Sequence, residues 1–274
     1  MLTLTAREIG DRIPREGECI TPDRLVGLRP AEIEKLPLLH GNVETKLADH
    51  FRVTGDPADG CLRILGDVTS IKRIGSRMTT GSILVDGAVG MHLGAEMSGG
   101  RIEVLGDADD WAGAEMKGGQ IRIRGNAGHL VGAAYRGESV GMRGGEILVH
   151  GNAGDEVGAS MRRGFIAVGG KVGDFAGASM IAGSIFVFGE MGVRVGAGMR
   201  RGTIAVLGPR DVPTLLPTFR ESGVFEPVFL RVYLAALQQR SFPPATAHAK
   251  ATRVRRFIGD LLELGKGEIL AAMP

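Results

Sequence analysis

An apolar pair of the I-x-V kind returns eight times along this chain, starting at Leu62, Ile83, Ile102, Ile121, Ile147, Ile166, Ile185 and Ile204. The intervals between starts are 21, 19, 19, 26, 19, 19 and 19 residues. Two residues before each start stands a glycine: Gly60, Gly81, Gly100, Gly119, Gly145, Gly164, Gly183 and Gly202. Four residues after each start stands another, from Gly66 and Gly87 through Gly189 and Gly208. Methionine precedes seven of the starts by five residues, at Met78, Met97, Met116, Met142, Met161, Met180 and Met199. An I-x-V pair puts two apolar side chains on one face of an extended strand. Glycine in or beside a strand costs roughly 0.5–1 kcal/mol against alanine, so columns of it mark a recurring backbone need: a positive φ, or no room for a Cβ. Short strands at this period, broken by so much glycine, exclude a helical repeat, and leucine-rich and propeller signatures are absent. What remains is all-β: a single-stranded β-solenoid in which each unit of about 19 residues is one coil and like residues stack. About seven coils at the ~4.8 Å strand spacing give a rod on the order of 34 Å long.

Composition narrows the function classes. The 44 glycines follow no G-X-Y triplet, and with 43% apolar and 23% charged residues the chain is neither a collagen nor a flexible linker. A net charge of +2 and 5% aromatic residues give no footprint for nucleic acid. Met1 to Pro14 holds no apolar leader core and carries Arg7, Glu8, Asp11 and Arg12, and no run of 18 apolar residues occurs, so a soluble cytoplasmic protein without a membrane partner is expected. Cys19 and Cys61 form no CxxC pair and are expected to be reduced and buried. A methionine at every coil reads as a flexible filler of a narrow interior; the other reading, a thioether copper ladder, lacks histidine or cysteine co-ligands.

The repeat departs from itself in three ways. The 26-residue interval holds seven extra residues, placed by register in a loop from Tyr135 to Gly141, and Tyr135, Arg136 and Glu138 become candidate contacts for a ligand or partner. Directly after the methionine stand Lys117, Arg143, Arg162 and Arg200, interrupted by Ile181, with Arg163 and Arg201 doubling two of them. Stacked, these form a basic ridge, either a solvated corner or a seat for an anion. The outward strand position turns apolar toward the end of the repeat, with Phe186 and Phe188 the largest, so the C-terminal tail or another subunit must cover it. Residues 1–60 read as an N-terminal α+β cap, 61–208 as the repeats and 209–274 as a partly helical tail packing on the solenoid or on partner subunits. The cap is expected to hold a strand at Leu2–Leu4, a short helix near Pro30–Leu36 and an extended piece near Phe51–Val53. In the tail, Pro213 to Pro227 reads as loop, Val228 to Arg240 as helix, and the rest as extended or helical to about Ala272.

The standard constellations for chemistry are near misses. Gly265-Lys266-Gly267 lacks the rest of a phosphate loop, and Ser160 and Ser179 lack a nucleophile elbow. His92, His129 and His150 fall at three different places in their coils and should not converge on a metal. Asp155 and Asp174 share a column with His129 without a calcium repeat. No catalytic or metal-ligating residue is expected in this chain.

Several stretches resemble the family of formylmethanofuran dehydrogenase C subunits: D-V-T-S-I-K-R-I-G at Asp67–Gly75, G-M-H-L-G-A-E-M at Gly90–Met97, and G-A-A-Y-R-G-E-S-V-G-M-R-G-G at Gly132–Gly145. The segments Gly41–Phe51 and Gly259–Glu268 resemble it too, whereas the bare glycine repeat is also similar to the C-terminal domain of the glutamate synthase large subunit. The resemblance implies a right-handed β-helix serving as non-catalytic scaffold in a cytoplasmic one-carbon complex, with A-, B- and D-type subunits as partners. In methylotrophic bacteria that complex transfers a formyl group from tetrahydromethanopterin to a methanofuran-like carrier and hydrolyses it to formate; in methanogens it is a molybdenum or tungsten dehydrogenase. Metal and cofactors belong to the other subunits, and the acidic glutamyl tails of such carriers would give the ridge Lys117, Arg143, Arg162 and Arg200 an anionic ligand. With 7 lysines, 33 − 7 = 26 of the basic residues are arginine, which favours the bacterial complex over a Lys/Glu-rich thermophile. A catalytic β-helix of the lyase kind is the alternative from another class.

Overall fold

The computed structural model describes residues 1–7, 13–208, 214–247 and 253–273. In chain order the elements are β1 (Leu2–Ala6), β2 (Arg15–Glu16), α1 (Pro22–Leu25), α2 (Pro30–Ile33), β3 (Pro37–His40), β4 (Val43–Lys46), α3 (Leu47–His50), β5 (Phe51–Gly55), β6 (Cys61–Leu65) and β7 (Ile71–Lys72). Then follow β8 (Ser82–Asp86), β9 (Arg101–Val104), β10 (Gln120–Ile123), β11 (Arg143–Val149), β12 (Arg163–Val168), β13 (Ser184–Val187), β14 (Arg201–Val206), β15 (Arg220–Phe225), α4 (Val228–Gln239), α5 (Pro243–Ala247), β16 (Val254–Gly259) and β17 (Lys266–Ala272).

The chain is mostly β, and one mixed sheet of thirteen strands dominates it, in the order β15-β16-β17-β14-β13-β12-β11-β10-β9-β8-β6-β1-β5. From β6 to β14 every neighbour is parallel and the repeat residues pair in register, as in Ile102 with Ile121 and Ile185 with Ile204. A second parallel ladder, one residue per unit, links Val68, Val89, Ala108, Ala127, Ala153, Val172 and Met191. Isoleucine and valine from the strands and methionine from the segments before them are buried together in one continuous core.

Methionine and glycine interlock between units. A Cβ on Gly119 would lie 2.7 Å from Met97 Cε, one on Gly145 2.6 Å from Met116 Cε, and one on Gly202 2.8 Å from Met180 Cε. The methyl of each methionine thus occupies the space that the next unit leaves by having no side chain, while φ at these glycines is +85° to +103°. Gly81, Gly100, Gly164 and Gly183 share the positive φ. Met97, Met116, Met161, Met180 and Met199 are fully buried.

Both ends of the ladder are extended by strands from outside the repeat. β1 pairs parallel with β6, Leu2 opposite Leu62 and Leu4 opposite Ile64, and β5 closes that edge antiparallel. At the other end β17 pairs parallel with β14, Gly267 opposite Gly202 and Ile269 opposite Ile204, before β16 and β15 add antiparallel. A small sheet, β4-β3-β2-β7, flanks the N-terminal end. The stretch Pro213–Pro227, expected from the sequence to be loop, contains β15; Pro213 itself lies outside the described residues. Its strand forms because β16 offers a paired edge, a tertiary effect that no local pattern announces.

The outer apolar face is covered by the chain itself. Leu230, Leu234 and Leu237 of α4, spaced four and three residues apart, face Leu148, Phe165, Phe186, Phe188 and Leu207 in a second core. Arg122, 4% exposed, donates from Nη2 to the Arg240 carbonyl at 2.5 Å and so ties the helix end to β10. Glu146 adds an ion pair to Arg240 Nε at 3.1 Å.

Three substitutions test this packing by urea unfolding. Gly119→Ala is expected to cost about 1–3 kcal/mol more than Gly137→Ala, because both have a left-handed backbone but only Gly119 would clash with Met97, Gly137 having open space around its Cβ. Leu234→Ala is expected to cost about 2–4 kcal/mol by opening a cavity under α4.

Candidate docking surfaces

Six of the seven corners turn with three residues in the left-handed region, as with Trp111 at φ 65°, Gly113 at 66° and Glu115 at 52°, and the corner before the insert with two, Leu130 and Gly132. The first of these positions is rarely glycine; it holds Arg73, His92, Trp111, Leu130, Glu156, Phe175 and Arg194, all with φ between 58° and 65°. Non-glycine residues there cost on the order of 1 kcal/mol each, which hydrogen bonds to the next unit offset. His92 N–H donates to the Asp110 carbonyl at 2.9 Å and Trp111 N–H to the His129 carbonyl at 2.9 Å. The result is an outward ladder of side chains, a column that the sequence conceals because its residue types vary from unit to unit.

On that ladder His92, Trp111 and Tyr135 form a cluster. The Tyr135 and Trp111 rings stack at 5.0 Å, Trp111 and His92 lie 6.2 Å apart at 25°, and the Tyr135 hydroxyl shares a 3.0 Å hydrogen bond with His92 Nδ1. The seven-residue insert makes this possible: Met142 N–H donates to the Gly132 carbonyl, as Met116 N–H does to that of Gly113, so Met142 takes the core position. Tyr135 is released to fold over the neighbouring unit, and Arg136 and Glu138 are exposed at the loop tip. Burial lowers the His92 pKa to about 4, helped by Arg73 and Lys72, and raises that of Tyr135 to about 12.

The three repeat histidines stand apart. His129 sits in a side-chain ladder: Asp110 Oδ1 accepts from His129 N–H at 2.7 Å, His129 Nδ1 from Asp155 N–H at 2.9 Å, and Asp155 Oδ1 from Asp174 N–H at 2.8 Å. His150 lies edge-on to Phe242 at 5.1 Å beneath the tail, where burial lowers its pKa to about 4. Among the described residues no group of three or more His, Cys, Asp or Glu could hold a metal ion. Both cysteines are free thiols, Cys19 buried and Cys61 only half-buried.

The basic ridge takes a sharper form than its sequence columns suggest. Lys117 is ion-paired to Glu96 at 3.8 Å and Arg200 to Glu263 at 3.3 Å. Across the strands Arg143 pairs in register with Arg163, not Arg162, and Arg201 with Lys266 of β17. Lys266 lies outside the repeat, but Gly267-x-Ile269 carries the same two-residue spacing as every unit and could have disclosed it. Between the arginine pairs 162–163 and 200–201 opens a cleft of about 400 Å³ lined also by Ile181, Ala182 and Leu264. Phe186 and Phe188, expected from the sequence to be interface candidates, are instead buried at 0% and 5% exposure because α4 and Phe242 pack on them.

A parallel ladder stapled by glycine columns defines a glycine-repeat β-protein, and the GXGXG motif family model matches residues 65–214, more than half of the chain. Over 96 residues the chain is 44% identical to the C subunit of the tungsten-containing formylmethanofuran dehydrogenase 2 of Methanothermobacter thermautotrophicus, covering 34% of this chain and 35% of that one. Over 85 residues it is 45% identical to the C subunit of the molybdenum-containing formylmethanofuran dehydrogenase 1 of Methanosarcina barkeri, covering 30% and 28%. These matches span only about a third of the curated relatives' length. A chain in the crystal structure of the formyltransferase/hydrolase complex (FhcABCD) of Methylorubrum extorquens, in complex with methylofuran, superposes with a TM-score of 0.89 and 36% identity over 99% of this chain and 100% of that one. The chain belongs to the family of formylmethanofuran dehydrogenase C subunits.

Acid should expose the buried imidazoles. His92 and His150 have folded pKa values near 4 against about 6.5 unfolded, so the unfolded state binds more protons between those values. Stability is expected to fall as pH drops from about 6.5 to 4 and to lose that dependence below 4. The slope of the urea midpoint against pH should flatten in His92→Gln and in His150→Gln.

Proposed function

We propose that this chain is the non-catalytic scaffold subunit of a cytoplasmic formyltransferase/hydrolase complex. That complex transfers a formyl group from formyl-tetrahydromethanopterin to a methanofuran-like carrier and releases formate. The end-to-end superposition on a chain of the methylofuran-bound complex carries this reading. The parallel ladder is read as a right-handed β-helix of about seven 19-residue coils, with residues 1–60 as cap, 61–208 as repeats and 209–274 as a tail that seals one face. Such a rod has fixed spacing, so it holds A-, B- and D-type partners at set distances while metal and cofactors reside in them. The Tyr135 loop and the basic ridge are the surfaces offered outward, the ridge to an anionic component of the assembly.

The dehydrogenase of methanogens is the second reading, favoured by the local identities of 44% and 45% to its C subunits. Native purification separates the two. Three other subunits and zinc are expected to accompany the chain; molybdenum or tungsten with iron-sulfur subunits would move it to the dehydrogenase, and turnover of a formyl substrate by the isolated chain would overturn the scaffold reading.

A further inference from the structure

The basic ridge is broken at one unit, and the break is a cleft. Ile181 and Ala182 stand where the flanking units carry Arg162–Arg163 and Arg200–Arg201, and their short, uncharged side chains leave a space of about 400 Å³ between the two arginine pairs. Leu264, on the turn between β16 and β17, adds a second apolar wall, and Leu261 and Leu262 of the same turn are exposed beside it. The cleft is therefore cationic at both ends and apolar in the middle.

Among the described residues most of the charges around it have no acidic partner. All four arginines are exposed, and only Arg200 has an acidic partner among the described residues. That partner, Glu263, sits next to Leu264 on the overhanging turn, so an acidic residue beside a leucine already occupies one end of the cleft. Arg143 and Lys266 extend the same positive row through their register partners Arg163 and Arg201. Like charges held this close on a rigid ladder repel one another until an anion joins them, and arginine forks suit carboxylates.

Resting on the reading of the ridge as an anion-binding surface, we propose that this cleft receives an acidic peptide segment of a partner protein in the assembly. Carboxylates of the segment lie on the arginine pairs at either end, and an apolar side chain between them fills the space above Ile181 and Ala182. Glu263 is the internal occupant that such a segment displaces from Arg200 or sits beside. Two strand steps, roughly 10 Å, separate the arginine pairs, a span that three or four residues of extended chain cover.

Fluorescence anisotropy of the full chain with labelled acidic pentapeptides tests this. A peptide with a central leucine is expected to bind roughly tenfold tighter than one with a central serine. Arg163→Glu with Arg201→Glu should weaken both by more than about tenfold. Glu263→Gln, which frees Arg200, should tighten both. Ala182→Arg, which closes the break, should abolish the preference for leucine while tightening oligoglutamate; circular dichroism checks that each variant keeps the fold. If oligoglutamate and the serine peptide bind, the leucine gives no advantage and Ala182→Arg leaves selectivity unchanged, the cleft is not the site while the ridge reading stands. If no acidic peptide binds at any salt concentration, both fall.

Discussion

The seat of each methionine methyl over the next unit's glycine is the contact from which the architecture follows. Met97 reaches over Gly119, Met116 over Gly145 and Met161 over Gly183, so a side chain on the glycine would strike the methyl and a shorter side chain on the methionine would leave a void. The two columns are therefore one device seen twice. It also fixes register, because the interlock must be remade at every step. Its last instance is the most telling: Met199 Cε lies 2.6 Å from a Cβ built on Gly267, so the tail strand enters the stack on the same terms as a genuine repeat although 65 residues separate it from Gly202.

That contact explains why so much was legible and where legibility stopped. Glycine, methionine and I-x-V columns are identities, and identities at constant spacing can be counted without knowing the fold. The corner ladder of Arg73, His92 and Trp111 is set by backbone geometry instead; any residue that tolerates φ near 60° with a hydrogen bond to the next unit can stand there, so its letters carry no signal. β15 escaped notice for another reason. Arg220 to Phe225 has no apolar alternation because all six residues are exposed, and what makes it a strand is the edge of β16. For Phe186 and Phe188 the sequence shows only that the face needs a cover; that α4 lies over them depends on where the tail returns.

Periodicity also governs the surface, because a ladder that stacks like residues in the core must stack them outside as well. Where the outward residue is aspartate or asparagine the repetition is stabilising: each side chain accepts from the backbone N–H of the following unit, as from Asp107 to Asn126 to Asn152 to Lys171. Where it is arginine the same repetition accumulates unpaired charge. Lys117 and Arg200 escape by pairing with Glu96 and Glu263, but Arg143, Arg162, Arg163 and Arg201 have no acid within 4 Å among the described residues.

A folded chain can lower such a cost by changing one letter per coil, and the Ile181–Ala182 pair shows that the repeat tolerates the change. That arginines nevertheless remain on either side of it is what the proposed acidic segment accounts for. The buried face supports the same view from the opposite direction. α4 commits Leu230, Leu234 and Leu237 to covering the sheet, and Arg122 is buried to hold its end. Among the described residues no comparable element closes over the ridge, where the overhang is a short turn that pairs one glutamate with Arg200. The molecule therefore meets two problems created by its own repetition in different ways: exposed apolar surface is covered by α4, while accumulated positive charge stays open among the described residues, as the proposed seat of an acidic segment.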